Sequence, residues 1–389
     1  LNHTKSDFSP TQRGEWMGTI IDTAKLTFEV PGRKITELQS CIRDALRKEV
    51  VTPRMLESVP GKLASMHKAI GPLVRFYSRS LYADIAKADT WFQKIRISPK
   101  SAHELVFWLQ NIQHVNGCSF THRPTTSKMI FTDASDSGFG AFVVHRLEKL
   151  ICCGKFTELD ASRRSTHREL LAVKFALSSF GELLRNETIQ INIDNYGAVR
   201  ILTIGSSKEL LHEIALEIYT HCLRYNIKLE PQWIPRNENE LADFYSRLND
   251  SDSWGLDSAT FNQINKLYGP FTVDRFADQF NKKLEVFNSK FYCPGTTLVN
   301  SFTADWGNDN NYLVPPVSLI ISAIRHLKLC RGRGTLIIPR WRNACFWNII
   351  CPDGENYANF IEDCVIVNPC FESYGNYTAF QGYAPFDTL

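Results

Sequence analysis

Apolar and polar residues repeat along this chain with two different periods, and the changes of period mark its parts. Residues 1–22 read as a short hairpin. Residues 23–120 read mainly as helices. LTFEVPGRK is a short extended piece, and Ile35 to Lys48 has helical periodicity. Thr52-Pro53 opens another helix with Pro in its first turn. Gly71-Pro72 interrupts the amphipathic run GKLASMHKAIGPLVRFYSRSLY, and a last helix covers Ile97 to Ile112. The polar, turn-rich residues 113–127 predict a linker. β-Favouring residues bounded by turn residues then predict strands at 128–134, 138–145 and 150–156, followed by a helix at 166–184. A strand at 188–194, helical structure across 196–225, a strand at 227–234 and a helix at 239–247 complete that stretch. The order predicts a mixed five-stranded sheet with helices on its faces. Residues 251–389 return to strand–helix alternation and predict an α/β domain with a parallel sheet. The fold class is therefore α/β multidomain, in four parts: 1–22, 23–120, 128–250 and 251–389.

Composition adds bounds. At 389 residues the chain is long enough for two or three domains, and its 43% hydrophobic content is ordinary for a globular protein. No window of about 18 apolar residues occurs, so no membrane span is expected. The chain starts with Leu and carries no signal-peptide pattern, which predicts a piece of a longer polyprotein. Eleven cysteines, odd in number and without a C-x-x-C pair, predict reduced thiols in an intracellular protein of the cytoplasm or nucleus. Charge is uneven. Residues 1–120 hold 17 Lys and Arg against 11 Asp and Glu, whereas residues 128–250 hold 15 against 17. A basic segment beside an acidic one fits a nucleic-acid groove leading to a metal site, though a solvated surface gives the same count.

The candidate chemistry lies in four carboxylates. Asp133 sits near the end of a strand in MIFTDASDSGFGAFVV, and Glu169 lies early in the helix STHRELLAVKFAL, whose apolar face carries Leu170, Val173 and Leu177. Asp194 ends the strand TIQINID, and Asp243 lies just inside the helix of WIPRNENELADFYSR. The intervals are 36, 25 and 49 residues. Each acid also has a plain structural use. Thr166 and Glu169 make a T-x-x-E capping box. Asp194 and Asn195 suit a helix cap. Asp243 suits the positive end of its helix, and Asp133 suits a turn.

In the order strand-Asp, helix-Glu, strand-end-Asp, helix-Asp, the sequence resembles the ribonuclease H family. FTDAS, the REL helix, NIDN and the closing N-x-x-AD-x-x-SR look like the form found in retrotransposon reverse transcriptases. The resemblance implies hydrolysis of the RNA strand of an RNA–DNA hybrid with two Mg²⁺ ions about 4 Å apart, Mn²⁺ being a substitute. It implies Asp133 as the bridging ligand, Asp194 and Glu169 on the ion nearer the leaving group, and Asp243 on the ion nearer the attacking water. Backbone groups around Ala134, Ser135 and Gly138, with Asn195, are the expected substrate contacts, reading 2′-hydroxyls. Many relatives carry a His ten residues before the last Asp; here Trp233 stands there and cannot titrate. His167, near Glu169, is expected to be structural.

The flanking parts carry resemblances too. Residues 1–22, with their N-x-x-K-S segment, look like the end of a reverse-transcriptase palm. Its metal-binding Y-x-D-D loop would precede residue 1, so polymerisation is not expected. Residues 23–120 resemble the thumb and connection of DIRS-type, tyrosine-recombinase retrotransposons. There Lys62, Lys68, Arg75 and Arg79 could follow a phosphate backbone or form a solvated face. In residues 251–389, Asp274, Asn281, Asp305-Trp306, Pro315-Pro316 and Pro339 look like phage-type adenine methyltransferases, a Rossmann-like fold. Active members have N-P-P-Y or D-P-P-Y. Here Val314-Pro315-Pro316-Val317 offers neither a side-chain acceptor nor a stacking ring, so no methyl transfer is expected, and S-adenosylmethionine binding near Asp274 stays open. Arg325, Lys328, Arg331, Arg333, Arg340 and Arg342 form a basic run that suits nucleic acid or solvent equally. Two other readings of the whole remain: a non-catalytic nucleic-acid-binding scaffold with a ribonuclease H fold, and a DNA-directed nuclease of the same superfamily, such as an integrase. Expected partners are an RNA–DNA hybrid, other nucleic acid and the rest of a reverse-transcriptase polyprotein, with no membrane.

Overall fold

The computed structural model describes residues 9–119, 127–248, 254–367, 371–373 and 386–388. The N-x-x-K-S segment lies outside the described residues. The chain divides into two compact units, residues 1–126 with 197–220 and residues 127–196 with 221–389.

The first unit begins with an antiparallel sheet of β1 (Arg13–Trp16), β2 (Thr19–Asp22), β3 (Thr27–Glu29) and β4 (Cys118–Ser119). The fourth strand falls in the stretch expected to be linker. Asn116 fixes it there, donating to the Val30 carbonyl and accepting from the Val30 N–H. Helices α1 (Gly32–Leu46), α2 (Pro53–Ser65), α3 (His67–Ile70), α4 (Leu73–Phe76), α5 (Arg79–Ala86) and α6 (Pro99–Asn111) bury Leu38, Ile42, Leu56, Phe76, Leu105 and Trp108. Thr52 caps α2 through the Met55 N–H, and Gly71, at φ 81°, separates α3 from α4. Residues 197–220 join this unit because Phe76 packs on Tyr219, with ring centroids 4.5 Å apart, and the Tyr77 hydroxyl lies 2.9 Å from Thr220 Oγ1. Of the four cations singled out above, Lys62 pairs with Glu37 at 3.2 Å.

The second unit is built on β5 (Lys128–Ala134), β6 (Gly138–His145), β7 (Glu148–Lys155), β8 (Thr188–Ile193) and β9 (Lys228–Trp233), in the spatial order β7-β6-β5-β8-β9. The first three strands pair antiparallel, and β5, β8 and β9 run parallel. This is the mixed five-stranded sheet expected from the pattern. Between and after these strands in sequence lie α7 (Glu158–Ala161), α8 (Ser165–Phe180), α9 (Tyr196–Ile204), α10 (Glu209–Arg224) and α11 (Glu240–Ser246), with residues 197–220 of α9 and α10 belonging to the first unit. Leu170, Val173 and Leu177 of α8 are fully buried, as their helical spacing requires. β7 is an edge strand, and Tyr292 covers part of it. Its N–H donates to the Ile151 carbonyl at 2.9 Å, and its ring packs on Phe180.

Tyr292 belongs to the C-terminal part of this unit. There β10 (Trp254–Leu256) and α12 (Ser258–Tyr268) lead into β11 (Val273–Asp274), and a small pair, β12 (Asn288–Ser289) and β13 (Leu298–Val299), precedes β14 (Asn310–Leu313). Then come α13 (Ile320–Leu329), β15 (Arg333–Pro339), α14 (Trp347–Ile350), β16 (Val365–Val367), β17 (Phe371–Ser373) and β18 (Phe386–Thr388). The sheet runs β11-β14-β15-β18-β16. The expected parallel pairing holds for β11, β14 and β15, but β18 pairs antiparallel with both β15 and β16. Antiparallel pairing satisfies the same backbone groups as parallel pairing, so the sheet is of mixed direction. No described helix is long and apolar enough to cross a membrane, and the ten described cysteines are free thiols.

Candidate active site

Asp133 stands in β5 opposite Gly140 of β6, so it is a strand residue rather than a turn residue. Glu169 opens the second turn of α8, and Asp194 follows the last residue of β8. Parallel pairing of β5 with β8 puts both strand carboxylates at the same end of the sheet, and α8 lays Glu169 over them. Carboxylate oxygens of Asp133, Glu169 and Asp194 all lie within 4.8 Å of one another. Asp133 is 3% exposed and Glu169 5%.

Three carboxylates held this closely oppose one another's ionisation. Burial, then the charges of Asp133 and Asp194, push the Glu169 carboxyl up to about 9. Burial also raises Asp133 and Asp194 above the ordinary range, and the Ser246 hydroxyl partly offsets this at Asp133. Glu169 accepts from the Ala134 N–H, yet its Oε2 is buried without a hydrogen-bond partner. The capping box is not formed, since no side chain caps α8. An orphaned carboxylate oxygen facing two more carboxylates is what a divalent cation with hard oxygen ligands fits.

The structure places the fourth acid differently. Asp243 lies in the first turn of α11, outside the three-carboxylate set, with its oxygens taken by two guanidinium groups. Arg236 Nη2 donates to Oδ1 at 3.1 Å; Arg247 donates through Nη2 to Oδ1 at 2.8 Å and through Nε to Oδ2 at 3.0 Å. Those bonds, Arg247's first, hold the Asp243 carboxyl below its ordinary value. Its charge still reaches Asp133 and Asp194, raising both.

Helix α11 sits this close because β6 has no side chain beneath it. A Cβ on Gly140 would lie 2.2 Å from the Ser246 nitrogen and 2.6 Å from the Ala242 carbonyl oxygen. Asn239, buried, ties the helix start to β5 by donating to the Thr132 carbonyl at 2.9 Å. The Ser246 hydroxyl is shared between Asp133 Oδ2 at 2.7 Å and the Asp243 carbonyl at 2.8 Å. In the N-x-x-AD-x-x-SR motif, the resemblance implies a role only for the Asp. Asn239, Ser246 and Arg247 of that motif, and Arg236 just before it, all act on the site. Their signal was the motif itself.

The expected substrate contacts are largely committed inside the protein. The Ser135 N–H donates to the Gly138 carbonyl, the Gly138 N–H to Ser135 Oγ, and Ser135 Oγ is 2.8 Å from the Ser246 carbonyl oxygen. The Ala134 N–H serves Glu169. Asn195 is partly buried beside Asp194. Trp233, 45% exposed, donates from Nε1 to the Asp194 carbonyl at 2.9 Å, so the residue standing for the family's His anchors an acid-bearing loop. His167 is buried with Nε2 3.4 Å from Asp160 of α7.

Residues 123–219 match the family described as the RNase H-like domain found in reverse transcriptase, a span that includes Asp133, Glu169 and Asp194 and stops short of Asp243. No curated protein sequence matches the chain. Among solved structures, LC11-RNase H1 in complex with RNA/DNA hybrid is 20% identical, covering 31% of this chain and 93% of its own, with a TM-score of 0.24. The RNase H1 of the halophilic archaeon Halobacterium salinarum is 18% identical over 30% of this chain and 92% of its own, with a TM-score of 0.23. The foamy viral protease-reverse transcriptase in complex with RNA/DNA hybrid is 12% identical over 57% of this chain, with a TM-score of 0.26; this chain spans 29% of its length. The protein contains an RNase H-like domain of the reverse-transcriptase type.

Proposed function

We propose that this domain hydrolyses the RNA strand of RNA–DNA hybrids with the help of divalent cations, Mg²⁺ or Mn²⁺, within a retrotransposon reverse-transcriptase polyprotein of DIRS type acting in the cytoplasm or nucleus. The observation that carries the reading is the convergence of Asp133, Glu169 and Asp194, 61 residues apart at the extremes, into one buried oxygen-lined cluster. These three carboxylates would hold the cation, with Asp243 joining for a second. A bound cation supplies positive charge to the oxyanions that develop on the phosphodiester and lowers the pKa of its water. The protein's own part is to favour the ionised form of Asp133 through Ser246 against the effect of burial, to hold Asp194 through Trp233, and to seat α11 on Gly140. Ala134, Ser135, Gly138 and Asn195 would border the substrate strand. Labelled RNA–DNA hybrid and duplex DNA, each with Mg²⁺, test the proposal. Cleavage of the hybrid's RNA strand, abolished in Asp133→Asn, is expected. Cleavage of duplex DNA alone would favour an integrase-like nuclease. Hybrid binding without cleavage would favour a scaffold, the reading that the guanidinium-locked Asp243 favours.

For residues 251–389 we infer a methyltransferase-like module without methyl transfer. Besides the missing polar and aromatic residues around Pro315-Pro316, the Pro315 carbonyl already accepts from the buried Trp254 indole N–H at 3.0 Å. A cavity of about 760 Å³, lined by Phe276, Phe280, Asn281 and Pro316, lies beside it. Titration with S-adenosylmethionine tests it: tight binding overturns the view that this pocket is vestigial.

A further inference from the structure

Asp243 presents a geometry the nuclease reading does not need. A metal ligand is expected to keep its oxygens available, yet both oxygens here are held by charged donors in three hydrogen bonds. The other three carboxylates have no such partner. Asp133 accepts from a neutral hydroxyl, and Glu169 keeps a buried oxygen without any donor. The site is therefore split between a cluster that no guanidinium bonds directly, though the charge of Arg236 reaches Asp133 and Asp194, and a neighbouring carboxylate bonded by two of them. The two cations come from different places. Arg247 is four residues along α11 from Asp243, the helical spacing that puts both on one face. Arg236 precedes the helix. Both side chains are largely exposed, 72% for Arg236 and 54% for Arg247, so they can leave Asp243 without disturbing the core.

We propose that Arg236 and Arg247 gate the second divalent cation: Asp133, Glu169 and Asp194 take one cation directly, whereas a second gains Asp243 only by displacing these guanidinium groups. The proposal rests on the cation-dependent nuclease reading above and adds an order of filling to it. An anionic phosphodiester strand favours the exchange, because a planar fork that leaves a carboxylate binds a phosphate with the same geometry. Substrate and second cation then load together, and cations without nucleic acid leave the site half filled.

Electron paramagnetic resonance of Mn²⁺ with the full chain and no nucleic acid counts bound ions directly. The wild type is expected to bind one ion, with a second at least tenfold weaker. Arg236→Gln/Arg247→Gln is expected to tighten the second ion at least fivefold. Asp243→Asn is expected to lose the weak site and keep the tight one. Arg247→Lys, which keeps the charge but loses the fork, should fall between wild type and the double variant. Two ions of equal affinity in the wild type, or a double variant unchanged from it, overturn the gate and leave the nuclease reading standing. Absence of any ion sensitive to Asp133→Asn overturns both.

Discussion

The Ser246 hydroxyl donates to Asp133 Oδ2 at 2.7 Å across a sequence separation of 113 residues. It is a side-chain donor that opposes the rise in Asp133's pKa caused by burial. Ser246→Ala should raise that pKa further and move the acid limb of the pH–rate profile to higher pH. At neutral pH, hybrid cleavage should fall about tenfold, the order expected when a hydrogen bond to a charged group is lost. A pH–rate profile that keeps its acid limb would show that the bond does not tune Asp133.

Glu169 makes stability depend on pH with a definite sign. Its carboxyl lies at about 9 in the fold against an ordinary 4.5, so between these values the folded chain holds a proton that the unfolded chain has lost. Without divalent cations, stability should therefore decline as pH climbs from about 4.5 towards 9. Glu169→Gln should remove that decline and melt higher than wild type at pH 9, while matching it near pH 4. Mg²⁺ added to the wild type at pH 9 should raise its melting temperature as well. Thermal melts at the two pH values check both expectations.

Gly140 has no room for a side chain. Gly140→Ala must push α11 off β6, carrying Ser246 and Asp243 with it. Overpacking of this kind typically costs about 1–3 kcal/mol. Urea denaturation should show that loss, and hybrid cleavage should fall with it. A variant of wild-type stability and rate would mean that the helix is not seated by this contact.

Trp233 has two uses that substitution separates. Trp233→Phe removes the indole donor to the Asp194 carbonyl and should slow cleavage only a few-fold, by about 1 kcal/mol. Trp233→His restores a titratable group and should raise the rate instead. Steady-state rates of the two variants, compared at one pH, decide whether the position matters through anchoring or through proton transfer.

The five strands of this sheet are legible to within two residues at every end, because β-favouring runs there are bounded by turn residues. The order of acids along strand and helix was likewise readable, since β5, β8 and α8 are local units. The partners of those acids were not. Whether Asp243 faces a cation or Arg236 depends on how a short helix lands on Gly140, a contact between residues some hundred positions apart. The antiparallel return of β18 onto β15 was invisible for a similar reason: parallel and antiparallel strands that are buried on both faces read alike.

The cover that Tyr292 places over β7 means that the five-stranded sheet is not a freestanding part. Cut away at residue 248, the sheet would present the Ile151 carbonyl and its neighbours as an open ribbon, a template for a second copy to add its own strand. Residues 127–248 made alone should self-associate in sedimentation experiments, whereas the full chain should not. In this chain the C-terminal lobe acts as a lid on an adhesive edge, shielding one copy of the sheet from its twin.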